Sequence, residues 1–167
     1  MRADILSPQH DRVILFDVLL KLPNEVGRVI VGHTHDAETT GIEISRMSYG
    51  GVWLMCEFRG EFNKQSFDGH SMMGYEPGRK KFVGACIGSN GPNLMTMQGD
   101  ADASGKKFTF KGECEDPMTG KPVTHKMVSE ITDKDHRTER MWMVGDDGKE
   151  TLVGEFFYTR KGKTEAK

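Results

Sequence analysis

Residues 112–126 read GECEDPMTGKPVTHK, and two different proteins can be built around them. Thr119-Gly120-Lys121 after a glycine suggests a phosphate cradle, whereas Asp116-Pro117 followed by Gly120 suggests a reversal between two strands. A phosphate-binding loop needs a glycine, four residues, then Gly-Lys-Ser/Thr running into a helix whose N-terminal amides hold the anion. Here Gly112 lies eight positions before Gly120, and Lys121 is followed by Pro122 and the β-branched Val123 and Thr124, so that helix is denied. The turn reading satisfies each local preference. Pro117 presets φ at the start of the loop, and Gly120 accepts a left-handed backbone at its end. Phe108–Glu113 and Val123–Ile131 then become paired strands.

The same texture extends in both directions. From Val26 onward, short segments rich in β-branched, aromatic and Met residues alternate with turn clusters. The pattern predicts strands near 26–34, 38–47, 52–61, 66–75, 80–89, 93–101, 106–115, 122–132, 137–145 and 150–160. Pro77-Gly78 suits a type II turn, and Ser104-Gly105 and Asp147-Gly148 suit hairpins. The expected fold class is all-β: an antiparallel up-and-down β-barrel of about ten strands, because closure removes the exposed edges of so many sequential strands. One short N-terminal helix is expected over 7–22, with Ser7 as cap, Pro8 in the first turn and Pro23 beyond the end. Residues 1–167 are expected to form a single domain, with 1–25 as its N-terminal helical segment and 162–167 as a flexible tail.

Composition excludes several classes of function. A net charge of −2 gives no electrostatic footprint for nucleic acid, and no basic amphipathic stretch suits a membrane surface. The apolar run 13–22 is broken by Asp17 and Lys21 and precedes no small-residue cleavage site, so neither a signal peptide nor a membrane span is expected. Three scattered cysteines without a CxxC spacing favour free thiols and a cytoplasmic location.

Four tracts carry a family resemblance: SRMSYGGVWLMCEF (45–58), GYEPGRKKFVGACIGS (74–89), EDPMTGKPV (115–123) and DDGKETLVGEFFYTR (146–160). In their order and spacing, the region from Thr39 to Lys161 resembles a bacterial family of small lipocalin-like proteins of unknown function. The resemblance implies a calycin-type β-barrel with a cavity. It carries no catalytic residues. The first-strand region NEVGRVIVGHTHDAE departs from the family pattern in lacking a Trp.

Strand alternation selects candidate inward residues. In 52–58 it selects Val52, Leu54, Cys56 and Phe58; in 106–114, Phe108, Phe110, Gly112 and Cys114; in 122–131, Val123, His125, Met127, Ser129 and Ile131. With Glu43 placed outside, Ile42, Ile44 and Arg46 share the inner face of the second strand. Eleven methionines are many for this length, and Met73, Met95, Met97 and Met127 with Tyr75 suit an adaptable apolar wall. An inward Arg46 would need a partner, either an internal carboxylate such as Glu139 or Glu155 or the acidic head of a ligand. An inward His125 is a core histidine or a proton carrier. His33 and His35, two apart, are a weak metal signal without a third ligand. No Gly-x-Ser-x-Gly elbow is present, and nothing near Cys86 would activate its thiol.

The expected function is the binding of a small hydrophobic or acidic amphiphilic ligand inside the barrel. The ligand-binding candidates are Arg46, Leu54, Phe58, Met73, Tyr75, Met95, Met97, Phe108, Phe110, His125 and Met127. No cofactor is identified, and no catalytic or metal residue is selected. Two alternatives stay open: an enzyme using His125 with a carboxylate as acid and base, and a closed barrel that associates through Trp53 and Trp142, as in a homodimer.

Overall fold

The computed structural model of the chain describes residues 26–34, 38–62, 64–89, 91–116 and 119–161. The strands follow one another as β1 (Val26–Thr34), β2 (Glu38–Ser48), β3 (Trp53–Phe62), β4 (Gln65–Glu76), β5 (Lys81–Gly88), β6 (Gly91–Ala101), β7 (Lys107–Glu115), β8 (Pro122–Ile131), β9 (His136–Val144) and β10 (Glu150–Arg160). Each is antiparallel to its neighbours in sequence.

The expected architecture is corrected in two respects. The sheet of nine strands, β2–β10, is an open half-barrel: it curls through 262° and leaves its edges 8 Å apart. It is not a ten-stranded up-and-down barrel closed by its own curvature. The opening is a little under the two inter-strand spacings of about 4.8 Å that one intervening strand spans. The backbone of β1 lies there, paired with β2 on one side and β10 on the other. A strand pattern in sequence reports where strands run, but not how far a sheet turns per strand. Secondly, no helix occurs among the described residues. The segment 7–22, expected to be helical, lies outside them.

The stretch that decided the fold class is a strand reversal. The Asp116 amide donates to the Lys121 carbonyl at 2.8 Å, and the Gly120 amide donates back to the Asp116 carbonyl at 2.7 Å. Gly120 takes φ +65°, and β8 begins at Pro122 with no helix after Lys121. Gly120→Val is therefore expected to cost about 1–2 kcal/mol, while Lys121→Ala, at an exposed position, stays within about 0.5 kcal/mol. Urea denaturation of the two variants checks this; equal tolerance would show that the left-handed residue is not needed. Gly105 and Gly148 take φ +66° and +78° in their turns, but at Pro77-Gly78 it is Lys80, at φ +52°, that takes the left-handed position, so the type II expectation does not hold there.

Opposed residues in a ladder share a face, so one strand's orientation fixes the others. Leu54 and Cys56 are buried on β3. Their partners Met47 and Ser45 on β2, and Met73 and Ser71 on β4, therefore point the same way. Carried around the sheet, the rule places Phe82, Met97, Phe110, Met127, Glu139 and Tyr158 inside. One end of the interior is packed shut by Leu54, Cys56, Phe82, Phe108 and Phe110, with Met47, Met73, Tyr75, Met97, Met127 and Ile131 against them. The Tyr75, Phe82 and Phe108 rings pack in sequence, first tilted and then edge-to-face, at centroid distances of 5.0 and 5.4 Å. Glycine at 99 makes room for this packing, since a Cβ there would meet the Thr109 carbonyl oxygen and the Phe110 ring.

A buried polar cluster in the wall of the interior cavity

Above the packed end lies a cavity of about 330 Å³. Its wall is uneven. Phe58, Phe67, Cys86, Met95, Met97, Met127, Met141 and Phe156 make it soft and apolar over most of its surface. Glu43, Ser71, Arg137, Glu139 and Tyr158 make one side polar.

Apart from Ser71 on β4, the polar side is built by β2, β9 and β10, whose register leaves it no other direction to face. Met47 opposite Leu54 and Ser45 opposite Cys56 set the phase of β2, which turns Glu43 inward opposite Phe58. Glu43 and Ser45 are 5% and 4% exposed. On the other flank, Arg137 opposes Tyr158 and Glu139 opposes Phe156. The two flanks meet across the interior. Arg137 Nη2 donates to Glu43 Oε2 at 2.9 Å, and the Ser45 hydroxyl donates to Glu43 Oε1 at 2.7 Å. The Cys56 thiol lies 3.5 Å from the Ser45 hydroxyl. The guanidinium lies over the Tyr158 ring, 3.9 Å from its centroid, where the π face favours a cation. Glu139 stands further off, with Oε2 3.9 Å from Arg137 Nη2. Arg137 Nε is buried without a hydrogen-bond partner.

The electrostatics follow from burial and from these neighbours. Burial works against the charge of Arg137, but Glu43, Tyr158 and Glu139 outweigh it and hold the guanidinium protonated. Burial pushes the Glu139 carboxyl above the usual carboxylate range; Arg137 opposes the shift and Glu43 adds to it. Burial likewise raises the Tyr158 hydroxyl and pushes the Cys56 and Cys86 thiols up to about 11, so neither is a thiolate nucleophile at neutral pH. All three cysteines are free.

Of the candidates selected from sequence, Leu54, Phe58, Met73, Met95, Met97 and Met127 line the cavity. Tyr75, Phe108 and Phe110 belong instead to the packed end. Arg46 is misplaced. It projects outward, half exposed, with Nη2 3.4 Å from Glu57, and Ile42 beside it on the outer face is 43% exposed. The hydrophobicity of Ile42 and Ile44 suggested the opposite phase, and a one-residue error in phase inverts every side chain of a strand. His125 faces inward by register, opposite Gly112 and Met143, but is not part of the cavity wall. Its Nδ1 is buried without a partner, and burial lowers its pKa. Glu43, Arg137 and Glu139 were missed as a site. His33 and His35 have no described side chains. Among the described residues, no group of three His, Cys, Asp or Glu side chains is placed to hold a metal ion, and no helix is long and apolar enough to cross a membrane.

A family model described as "Protein of unknown function (DUF1579)" matches residues 29–160, from within β1 to the end of β10. The chain belongs to this family. No curated protein matches it. Among solved structures, an S-type phycobiliprotein lyase, CPES, from Guillardia theta is similar with a TM-score of 0.58 at 10% identity, covering 93% of this chain and 99% of that one. Rv2717c from M. tuberculosis is similar with a TM-score of 0.59 at 12% identity, covering 89% of this chain and 98% of its own. At such identities the likeness is one of fold. It extends over nearly the whole length of this DUF1579 chain.

Proposed function

We propose that this chain is a binding protein for a small, mainly apolar ligand that carries an oxygen-bearing head, either a carbonyl or a carboxyl group. The observation that carries the reading is Arg137: a buried guanidinium in the cavity wall, fixed by Glu43 and Tyr158, with Nε left unpartnered. A buried donor without an acceptor costs about 1–3 kcal/mol, and a ligand oxygen would remove that cost. The methionine and aromatic wall supports an apolar body, because thioethers adapt to varied shapes. The cavity volume is near the lower end of the range for ligand sites, roughly 300–1,000 Å³, which favours a short ligand. The role first assigned to Arg46 passes to Arg137.

Decanoate, decanamide and naphthalene test the reading by titration into the purified protein. Wild-type protein is expected to bind all three. Arg137→Lys keeps the charge but removes Nε, and should weaken decanoate and decanamide about tenfold or more, the worth of a hydrogen bond to a charged donor. Naphthalene, which has no oxygen, should change less than twofold, on the order of a few tenths of a kcal/mol. Equal losses for all three probes would show that Arg137 does not read a head group. Absence of binding by any probe would remove the cavity as a ligand site.

A further inference from the structure

We infer that Glu139 is the residue that selects between an anionic and a neutral head group: in its protonated form it admits a carboxylate to Arg137, and in its ionised form it repels one. This rests on the reading of the cavity as a ligand site and adds to it a rule for which ligand enters.

The geometry separates the two carboxyl groups that face the guanidinium. Glu43 is locked, with one oxygen taking Ser45 and the other taking Arg137 Nη2 at 2.9 Å. Glu139, in the cavity wall, approaches the same nitrogen only to 3.9 Å, beyond hydrogen-bond range. The charged and titratable groups that face it are Arg137 on its own strand, Glu43 from β2, Tyr158 from β10 and, at longer range, Cys86 from β5. Ser129 opposes it from β8 without a charge. Of the two carboxyl groups, Glu139 is therefore the one left to exchange a proton with an incoming head.

The sign follows directly. Burial and Glu43 favour the neutral acid at Glu139, so its folded-state pKa is raised. Below that pKa the group is uncharged, and a carboxylate meets the cation without a further negative neighbour. As pH rises through that pKa, Glu139 gains a charge beside the site. Binding of an anion then requires either repulsion or uptake of a proton by Glu139. The proton comes from solvent and stays on the Glu139 carboxyl while the anion is bound. A neutral amide head makes no such demand.

The experiment compares decanoate with decanamide across the pH range in which the protein stays folded and decanoate stays ionised, in wild-type protein and in Glu139→Gln. Gln keeps the shape of the side chain without the charge. Decanoate affinity in wild type should fall by up to about tenfold per pH unit above the midpoint, the limit for a single coupled proton. Calorimetry in two buffers of different ionisation enthalpy should show proton uptake on decanoate binding above that midpoint. Decanamide should vary less than about twofold, and Glu139→Gln should flatten the decanoate profile at its low-pH affinity. A flat wild-type profile, or a slope that survives in Glu139→Gln, would overturn the inference while leaving the ligand site intact. If neither probe binds wild-type protein, the ligand-site reading fails, and this inference fails with it.

Discussion

Arg137→Met should lower folding stability by about 3–5 kcal/mol, the usual cost of removing one partner from a buried ion pair. For a chain of this length the melting temperature should fall by roughly 6–20 °C. Methionine roughly replaces the apolar stem of arginine, so little of the loss is cavity. The loss comes from Glu43, 5% exposed, which forfeits its 2.9 Å charge-assisted bond, and from Glu139, which loses the cation that counters its burial. The stacking of the guanidinium on Tyr158 goes too. Adding Glu43→Gln to the variant should recover part of the stability, because an amide costs less than a carboxylate in the same place. Thermal and urea denaturation of wild type, the two single variants and the double variant form a cycle in which Arg137 and Glu43 couple by more than about 0.5 kcal/mol. A loss below about 1 kcal/mol for Arg137→Met, or no coupling with Glu43, would mean that the pair is not what keeps charge inside this fold.

The sequence made the strand positions legible because each turn has its own chemistry. The hairpin at Asp116–Lys121 is the clearest instance, with Gly120 left-handed and Pro122 opening the next strand. The packed end was half legible: Leu54, Phe108 and Phe110 alternate with residues that must face water, and they are buried. The polar cluster was not legible from hydropathy. On β2 the inner face holds Thr39, Glu43 and Ser45 while Ile42 faces out, so alternation read by hydrophobicity selects the wrong face. On β9 both faces mix charge with apolar groups, Arg137, Glu139 and Met141 on one and Arg140 and Trp142 on the other, and no phase stands out. Hairpin geometry held part of the missing signal. Folding β2 and β3 about Gly50-Gly51 pairs Glu43 with Phe58, whereas the register set by the β9–β10 turn, with Val144 opposite Glu150, is shifted by one residue at a β-bulge between Leu152 and Gly154 before Arg137 meets Tyr158. Register propagated from the β2–β3 turn thus locates Glu43 where residue-by-residue hydropathy hides it, while the bulge on β10 hides the phase of Arg137 and Glu139 from the same reasoning. Curvature left no comparable trace, and the half-barrel opening that β1 occupies depends on how far nine strands turn together.

Phe110→Ala should destabilise the protein by about 3–5 kcal/mol while leaving ligand affinity nearly unchanged. Phe110 is fully buried, at 0% exposure, and with Phe108 it is one of the two largest side chains wholly removed from water. It opposes Gly99 on β6 and Met127 on β8. Gly99 cannot be exchanged for a larger residue to fill the space, because a Cβ there would strike the Thr109 carbonyl oxygen. Truncation therefore leaves a void that the neighbouring strand cannot close, and the cost rises with the volume left empty, by about 24 cal/mol per Å³. Alternation alone placed Phe110 among the ligand contacts. The structure places it in the packed end, beneath the Met97 and Met127 side chains that belong to both core and cavity wall. Phe58→Ala, which alters the cavity wall itself at a half-buried position, should show the reverse balance: a smaller loss of stability, about 1–3 kcal/mol, and a larger loss of decanoate affinity. Urea denaturation and decanoate titration of both variants separate the roles. If Phe110→Ala weakened decanoate as much as Phe58→Ala does, the ligand would reach the packed end, and the boundary drawn between core and cavity would be misplaced.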